Sequence, residues 1–472
     1  MRLMIKTDAL IIGAGLLGCF TARNLAKYDI DVIVLEKEDD VCRGISKANT
    51  GIIYSGYDNR PGTEKQKLCI QANEAFGRLC RELEVPFRRT GSLMVSYGPA
   101  GDAVIARKYR DGLEGGTKGL RLLNGCEAEA MEPALAKGIS SALYSDGTGT
   151  VDPWELCIAA YENAKENGVK FIFGCPVTDI KRENGGFIIK TGEDTFAAKT
   201  VVNAAGLSSD VIREMTEKPL IRLFPTAADY IVLDRSAGNT IKHIVFHEGE
   251  YGKGLTLVPT VDGNILIGPT NREASGEELR DSDMRTDRSG LDHLKELCRE
   301  VVPGLDLSRQ IRTFGSLRPD PYYVSLCDGD IVRREDNIKD IRITGEDGFF
   351  SLIGVKTPGL TFSNELGNIV ADRAAAYAGK TKLNEGFDPH RKAIVRARDL
   401  SEEERADMIR KDPDYGDVIC SCMDVTRSEM IQAVRRGAHD FESVKRRTGA
   451  GLGKCQGSRC RRRIMDIIAK GE

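Results

Sequence analysis

Four cysteines near the end of the chain stand in two close pairs. Cys420 and Cys422 form Cys-x-Cys, Cys455 and Cys460 form Cys-x4-Cys, and thirty-two residues separate the pairs. Four thiolates so spaced can hold an iron–sulfur cluster or a zinc ion. Near the start of the chain, Gly13-Ala14-Gly15-Leu16-Leu17-Gly18 follows the apolar run Asp8–Ile12, and Glu36 closes the next apolar run 18 residues beyond Gly18. Gly13 permits a tight turn, Gly15 lets the backbone approach a pyrophosphate, and Gly18 lets a helix sit close to the preceding strand. A helix opening there offers unpaired N–H groups and the positive end of its dipole to phosphates. A carboxylate at Glu36 can accept both ribose hydroxyls and repels a 2′-phosphate. If the thiolates hold iron, the chain joins a two-electron site to a one-electron site.

These residues need a strand–helix–strand unit to position them. The pattern predicts one over 7–36, with a helix over 16–28 and a buried parallel strand at Asp31–Leu35, apolar after its first residue. Further helices are predicted over 64–84, 153–167, 361–378 and 426–437, and strands at Lys170–Phe173, Thr200–Asn203 and Phe349–Ile353. Residues 220–335 are strand-rich, with Tyr230–Leu233, Leu255–Pro259 and Asn264–Ile267. Residues 379–412 are polar and charged and read as a linker. Residues 413–472 form a module too short for a strong core of its own, so a metal centre would supply what the core lacks.

The totals set outer limits. A chain of 472 residues accommodates two to four domains at roughly 100–200 residues each. A formal charge of −3 predicts no nucleic-acid partner. No apolar run reaches the roughly 18–20 residues needed to span a bilayer directly. The apolar stretch Ala9–Phe20 carries phosphate-loop glycines and reads as a strand and turn, not a signal peptide. Of 13 cysteines, nine are scattered without pairing, and the odd total favours a reducing compartment over a disulfide framework. The cytoplasm is the expected location, with attachment to a membrane only through a partner.

The glycine pattern alone does not separate NAD from FAD; later segments do. Gly44-Ile-Ser-Lys-Ala-Asn-Thr-Gly51-Ile-Ile-Tyr-Ser-Gly56 follows the Glu36 strand, Val201-Val-Asn-Ala-Ala-Gly206 is a strand ending in small residues, and Gly354-Val-Lys-Thr-Pro-Gly-Leu-Thr361 joins a strand to a helix. In this order they resemble the D-amino-acid-oxidase-type FAD-dependent oxidoreductase superfamily, in its glycerol-3-phosphate dehydrogenase and L-2-hydroxyglutarate dehydrogenase branch. The cysteine module resembles the bacterioferritin-associated-ferredoxin-like [2Fe–2S] domain fused to some members. The resemblance implies an α/β fold in discontinuous pieces. A Rossmann-type FAD-binding domain (1–75, 145–215 and 340–378) is interleaved with an α+β substrate domain on a mixed antiparallel sheet (76–144 and 216–339). The linker and a small helical [2Fe–2S] domain, 413–472, follow.

The resemblance also implies roles. Gly13, Gly15, Gly18, Glu36 and Lys37 would hold the dinucleotide, and Ser46, Lys47, Ala48, Thr50, Gly51 and Ile52 would line the pyrophosphate and flavin. Val177 would touch the adenine, and Ala205 and Gly206 would pack near the cofactor. Gly354, Gly359, Leu360 and Thr361 would aim a helix N-terminus at the flavin, where dipole and N–H groups stabilise the reduced anion. Cys420, Cys422, Cys455 and Cys460 would ligate the cluster, with a zinc knuckle as the alternative. Residues 444–463 carry eight basic residues and no acid, which should raise a cluster's potential or serve as a docking face.

The reaction implied is dehydrogenation of a carbon bearing an alcohol, on a small anionic substrate such as sn-glycerol 3-phosphate or an L-2-hydroxy acid. Electrons would pass through the cluster to a second flavoprotein or an iron–sulfur subunit. Arg318, in Gly315-Ser-Leu-Arg-Pro319, matches the substrate-anion arginine, whose fork suits carboxylate or phosphate. Arg222 and Lys253 are weaker candidates. Tyr54 stands where related chains often carry histidine, and an unperturbed tyrosine is a poor base at neutral pH. Phe224–Tyr230 replaces a stretch that tends to be basic, and Lys356 is a candidate anchor or base. His247 is the histidine nearest a promising loop among five in the chain. Without an alcohol-activating base, an amino or imino acid becomes the alternative substrate. An electron-transfer subunit with a vestigial pocket is the reading of a different class.

Overall fold

The run Ile5–Ile12 forms a strand whose last six residues are buried. It pairs in parallel with Val32–Leu35 on one side and Thr195–Asn203 on the other. Lys170–Ile172 extends the sheet beyond Val32–Leu35, and Phe349–Leu352 extends it beyond Thr195–Asn203, both in parallel. Strands buried on both faces read as continuous apolar runs, which is why this sheet was legible without alternation. The order reverses at the central strand, which opens a crevice at the carboxyl ends of the strands. The structure, a computed structural model, describes residues 4–247, 254–274, 284–327, 330–345 and 347–471. Among them no helix is long and apolar enough to cross a membrane.

The first helix, Leu16–Leu25, starts directly after Gly15 of the glycine turn and is buried along nearly its whole length. It packs against helices Pro153–Glu166 and Ser363–Tyr377. Pro153–Glu166 starts where its sequence dictates: Asp152 accepts from the N–H groups of Trp154 and Glu155, and proline occupies the first position. Contact with Ser363–Tyr377 depends on Gly367, since a Cβ there would lie 2.9 Å from the Phe20 carbonyl carbon. The predicted helices and strands are present, most with ends trimmed by one to a few residues, while the strands expected at Asp8, Thr200 and Tyr230 start earlier and span Ile5–Ile12, Thr195–Asn203 and Thr226–Leu233.

A second sheet of nine strands draws on two separated stretches of chain. Ser92–Ser96, Leu120–Asn124 and Ser141–Ser145 come from one, and the strands from Thr226–Leu233 to Gln310–Arg318 from the other. It is antiparallel apart from Ile244–His247, which runs parallel to Ser92–Ser96. Its longest pairing sets Thr226–Leu233 against Gln310–Arg318, with Thr226 opposite Arg318. One face closes over an apolar core that includes Leu294, Cys298 and Val301 of helix Arg288–Val301. The fold is thus α/β, with a first sheet whose parallel centre carries antiparallel strands at its edge and an interleaved second, mixed sheet.

The chain forms two compact units, Met1–Glu82 with Pro86–Pro389, and Leu83–Val85 with His390–Glu472. The stretch read as a linker is not open chain. From His390 it belongs to the second unit, and its charged run is the helix Glu402–Lys411. Ser401 and Glu404 form a capping box, three glutamates fill the first turn, and Arg410 and Lys411 close the last. Each charge sits at the dipole end that favours it, so a run that looked merely solvated is helical. The second unit has a core of its own, built from residues such as Ile419, Val425, Met430, Phe441, Val444 and Ile464 and including Cys420 and Cys460.

The Gly367 contact gives a test. Gly367→Ala forces the helix pair apart and lowers stability by about 1–3 kcal/mol, read from the urea midpoint. An unchanged midpoint contradicts this packing.

Candidate functional site

The dinucleotide turn is built on contacts that exclude side chains. A Cβ on Gly18 would lie 1.9 Å from the Gly13 carbonyl oxygen, and one on Gly13 would lie 2.6 Å from that of Ala204. Gly13 also has φ +102°, a conformation L residues avoid. Gly15 faces only the Ser46 hydroxyl, 3.2 Å from its Cβ position, so space above the turn stays open. Glu36 accepts from the Ala14 N–H at 2.6 Å and from the Glu38 N–H at 3.0 Å. Burial pushes its carboxyl pKa up against those hydrogen bonds. Each oxygen keeps lone pairs for a ribose hydroxyl. The Ser46 hydroxyl accepts from the Leu16 N–H at 3.1 Å, holding the following loop against the helix start.

One cavity runs from this turn to the second sheet. Of the residues singled out for cofactor binding, Gly13, Gly15, Glu36, Lys37, Ser46, Ala48, Thr50, Ile52, Val177, Ala205, Gly206, Gly359 and Leu360 line it. Five do not. Gly18 meets Gly13, and Gly51 lets the loop pass Val151, whose carbonyl oxygen would be 2.4 Å from a Cβ. Gly354, at φ +67°, passes Pro321 in the same way, 2.5 Å from its ring. Lys47 offers its carbonyl to the Trp154 indole N–H at 2.8 Å. Thr361 is buried, and its hydroxyl accepts from the Tyr54 N–H at 3.0 Å, tying the flavin loop to the helix-leading loop. The cradle of close backbone and the polar groups along it fit FAD.

At the far end the cavity is walled by Tyr54, Tyr230, Arg318 and Lys356. Burial pushes both phenols up, so neither is a base at neutral pH. The Arg318 fork is set by neutral acceptors: Nη1 donates to Asn271 Oδ1 at 3.0 Å and Nη2 to the Thr270 carbonyl at 3.3 Å. Thr270 is itself fixed by Asp229, whose buried carboxylate accepts from the Thr270 hydroxyl at 2.8 Å. No carboxylate pairs with Arg318 among the described residues, so its charge is available to an anion.

Lys356 differs: its ammonium is paired with Asp320 and donates to Asn337 Oδ1 at 3.2 Å. Asp320 is buried, yet Lys356, the Thr226 hydroxyl at 2.7 Å and Asn337 hold its carboxyl below the ordinary range. Burial, and next the charge of Lys356, push the half-buried Lys65 ammonium down to about 8. His247 does not line the cavity, and its ring packs edge-on against Tyr97. Arg222 is ion-paired with Glu214. Lys253 lies outside the described residues. Asn271, Asp320 and Lys65 carried no sequence signal, and Tyr230 stood out only as the end of the Phe224–Tyr230 stretch, because pairings between distant strands and loops bring them here.

In the second unit the hairpin of Val418–Cys420 and Val425–Thr426 presents the first cysteine pair. Helix Arg461–Lys470 starts directly after Cys460. Between Gly449 and Cys460 the chain closes on the first pair through glycines. A Cβ on Gly453 would lie 2.4 Å from that of Cys422, and Gly451 and Gly457, both at positive φ, would each strike Phe441. Cys420 lies against Cys460, and Cys422 against Cys455. The Cys460 thiol draws the Cys420 pKa down, helped by N–H groups of Gly451, Met423 and Cys422. N–H groups of Arg459 and Gly457 serve Cys455. A tetrathiolate set with backbone donors on its sulfurs fits an iron–sulfur cluster.

Residues 8–373 match the FAD dependent oxidoreductase family, and residues 418–470 match the BFD-like [2Fe-2S] binding domain. The chain is 37% identical to a glycerol 3-phosphate dehydrogenase of Caloramator mitchellensis, over 98% of this chain and 94% of that protein. It is 25% identical to one subunit of the anaerobic glycerol-3-phosphate dehydrogenase of Escherichia coli K12, over 98% of this chain and 88% of that protein. Among solved structures, FAD-bound L-alpha-glycerophosphate oxidase from Mycoplasma pneumoniae shares the fold, with TM-score 0.71 and 22% identity over 82% of this chain and 99% of that one.

Asp320 gives a pH test. Its folded pKa is depressed, so the stability it contributes is present above the ordinary carboxylate value near 4 and is lost as pH falls through the lower folded value. Lys356→Met strands that buried charge and costs about 3 kcal/mol at neutral pH. The gap from the native protein narrows as pH falls, because the buried carboxylate stranded in the variant takes a proton before the paired one does. A gap independent of pH, by denaturant unfolding, contradicts the pairing.

Proposed function

This chain belongs to the FAD-dependent oxidoreductase family, and on that premise we propose that it oxidises sn-glycerol 3-phosphate at the carbon bearing its hydroxyl and passes the electrons through its [2Fe–2S] domain to a partner protein. The observation that carries the reading is Arg318: a guanidinium on the cavity wall, braced by neutral acceptors and left without a carboxylate among the described residues. The full-length likeness to a glycerol 3-phosphate dehydrogenase supports this substrate. FAD, when bound, supplies the hydride acceptor. Arg318 takes the substrate's anionic group in its fork and fixes the distance of the reacting carbon from that point. Tyr54 and Tyr230 keep their protons, exclude water and offer hydroxyls for orientation. The Lys356–Asp320 ion pair fixes the wall beside Arg318.

A second reading has its own observation. With Lys356 engaged by Asp320, Arg318 is the cation at this end that has no carboxylate among the described residues. A lone fork suits a carboxylate as well as a phosphate, which favours an L-2-hydroxy acid. On either reading electrons leave through Cys420, Cys422, Cys455 and Cys460 to a partner. The likeness to one component of the Escherichia coli anaerobic dehydrogenase supports such a partner. The partner would supply any attachment to a membrane.

Anaerobic bleaching of the flavin by sn-glycerol 3-phosphate, L-2-hydroxyglutarate and L-proline separates the readings. The first should bleach fastest at low concentration; bleaching by proline alone ends the anionic-alcohol reading. Arg318→Met should weaken substrate binding about 30-fold or more, as loss of one partner of a desolvated charge pair does. An unchanged dissociation constant removes Arg318 from the site. Cys455→Ser should leave flavin reduction intact and stop onward transfer, seen as a lost iron absorbance with normal FAD content.

A further inference from the structure

Around the four cysteines exposure and charge are unevenly divided. Cys420 and Cys460 are buried, while Cys422 and Cys455 are part-exposed. The open side of the centre is therefore the Cys422–Cys455 edge. Lys454 precedes Cys455, and Arg459 directs its own N–H at the Cys455 sulfur. Lys454, Arg459, Arg461, Arg462 and Arg463 are all exposed. Two of them are engaged within the unit: Arg461 stacks over the Phe441 ring at 5.0 Å, and Arg463 pairs with Asp417 at 2.7 Å. Among the described residues Lys454, Arg459 and Arg462 have no ion-pair partner. The only acid from Lys454 to Lys470 is Asp466.

We propose that Lys454, Arg459 and Arg462 form the docking collar for an acidic one-electron carrier protein, which takes electrons at the Cys422–Cys455 edge. Charge complementarity seats such a carrier at the edge where transfer is shortest. Exposed cations without partners keep their attraction for carboxylates undivided, and they steer an acidic protein into a productive encounter. Nucleic acid fits worse, since no aromatic residue occurs from 442 to 472 to stack on bases. The net charge of −3 makes the collar a local reversal of sign rather than a property of the whole chain. Each transfer moves one electron from the reduced cluster to the carrier's metal, which is reduced by one electron while the cluster is reoxidised, and no proton is exchanged.

The inference rests on the cluster being the exit, not on which substrate is oxidised, so the test reduces the holoenzyme with light, EDTA and catalytic deazaflavin. Two one-electron acceptors of opposite charge serve as probes, acidic plastocyanin and basic cytochrome c. Plastocyanin should be reduced faster than cytochrome c at low salt, with a rate that falls as ionic strength rises. The triple variant Lys454→Glu, Arg459→Glu, Arg462→Glu should lose about tenfold or more in that rate and in calorimetric affinity for oxidised plastocyanin. Its flavin and iron absorbance should remain normal. If that variant does not fold, Arg459→Gln with Arg462→Gln carries the same prediction at a smaller loss. Equal rates with both carriers, an unchanged rate and salt slope in the variants, or binding of duplex DNA in place of plastocyanin overturns the proposal. A loss of photoreduced iron signal itself would instead overturn the cluster as exit.

Discussion

The position of Gly18 against the Gly13 carbonyl is the constraint on which the rest depends. No side chain fits in a gap where a Cβ would sit 1.9 Å from an oxygen. The helix Leu16–Leu25 therefore leaves the first strand at one angle, and its buried length is clamped by helices on either side. The same turn touches Ala204 at the end of Thr195–Asn203, so two parallel strands end at one point. That convergence opens the crevice, and the second sheet closes it by bringing Tyr230 and Arg318 to the far wall. A dinucleotide cofactor is long enough to join the two ends; shifting the turn would misplace both.

The parts of this arrangement that were legible in sequence are the parts made by neighbours in the chain. The glycine turn, Glu36 and the cysteine pairs are local patterns whose chemistry follows from spacing alone. The charged run 402–411 reads as solvated chain when polarity alone is weighed, although its acids and bases are ordered as a helix dipole requires. The far wall was legible only as Arg318. Its partners arrive from outside its own segment: Thr270 and Asn271 from a loop held by Asp229, and Tyr230 from the strand paired with Arg318's own. Lys356 was visible, but its neutralisation by Asp320 was not, since that pair spans 36 residues and depends on how Asn337 is placed. His247 stood out because histidine is rare here, and rarity is not position.

Charge is handled in three ways across the molecule. Arg318 is braced by neutral oxygens and keeps its attraction for an anion. Lys356 is engaged by a buried carboxylate and so is not a second free cation on the wall. The cations Lys454, Arg459 and Arg462 beside the second cysteine pair stay exposed. On the proposed function these serve separate tasks: gripping a substrate, holding the wall beside it and handing on its electrons. The backbone donors on the cysteine sulfurs belong to the last task, since they stabilise the extra negative charge of a reduced centre.

The central claim is that electrons enter as a pair and leave singly through iron. Rapid mixing of the anaerobic holoenzyme with sn-glycerol 3-phosphate, followed by flavin absorbance and by freeze-quench EPR, tests it most directly. The account predicts that the flavin bleaches first and that a reduced [2Fe–2S] signal then grows as the flavin partly recovers colour. A fully bleached flavin beside iron that stays oxidised would contradict it.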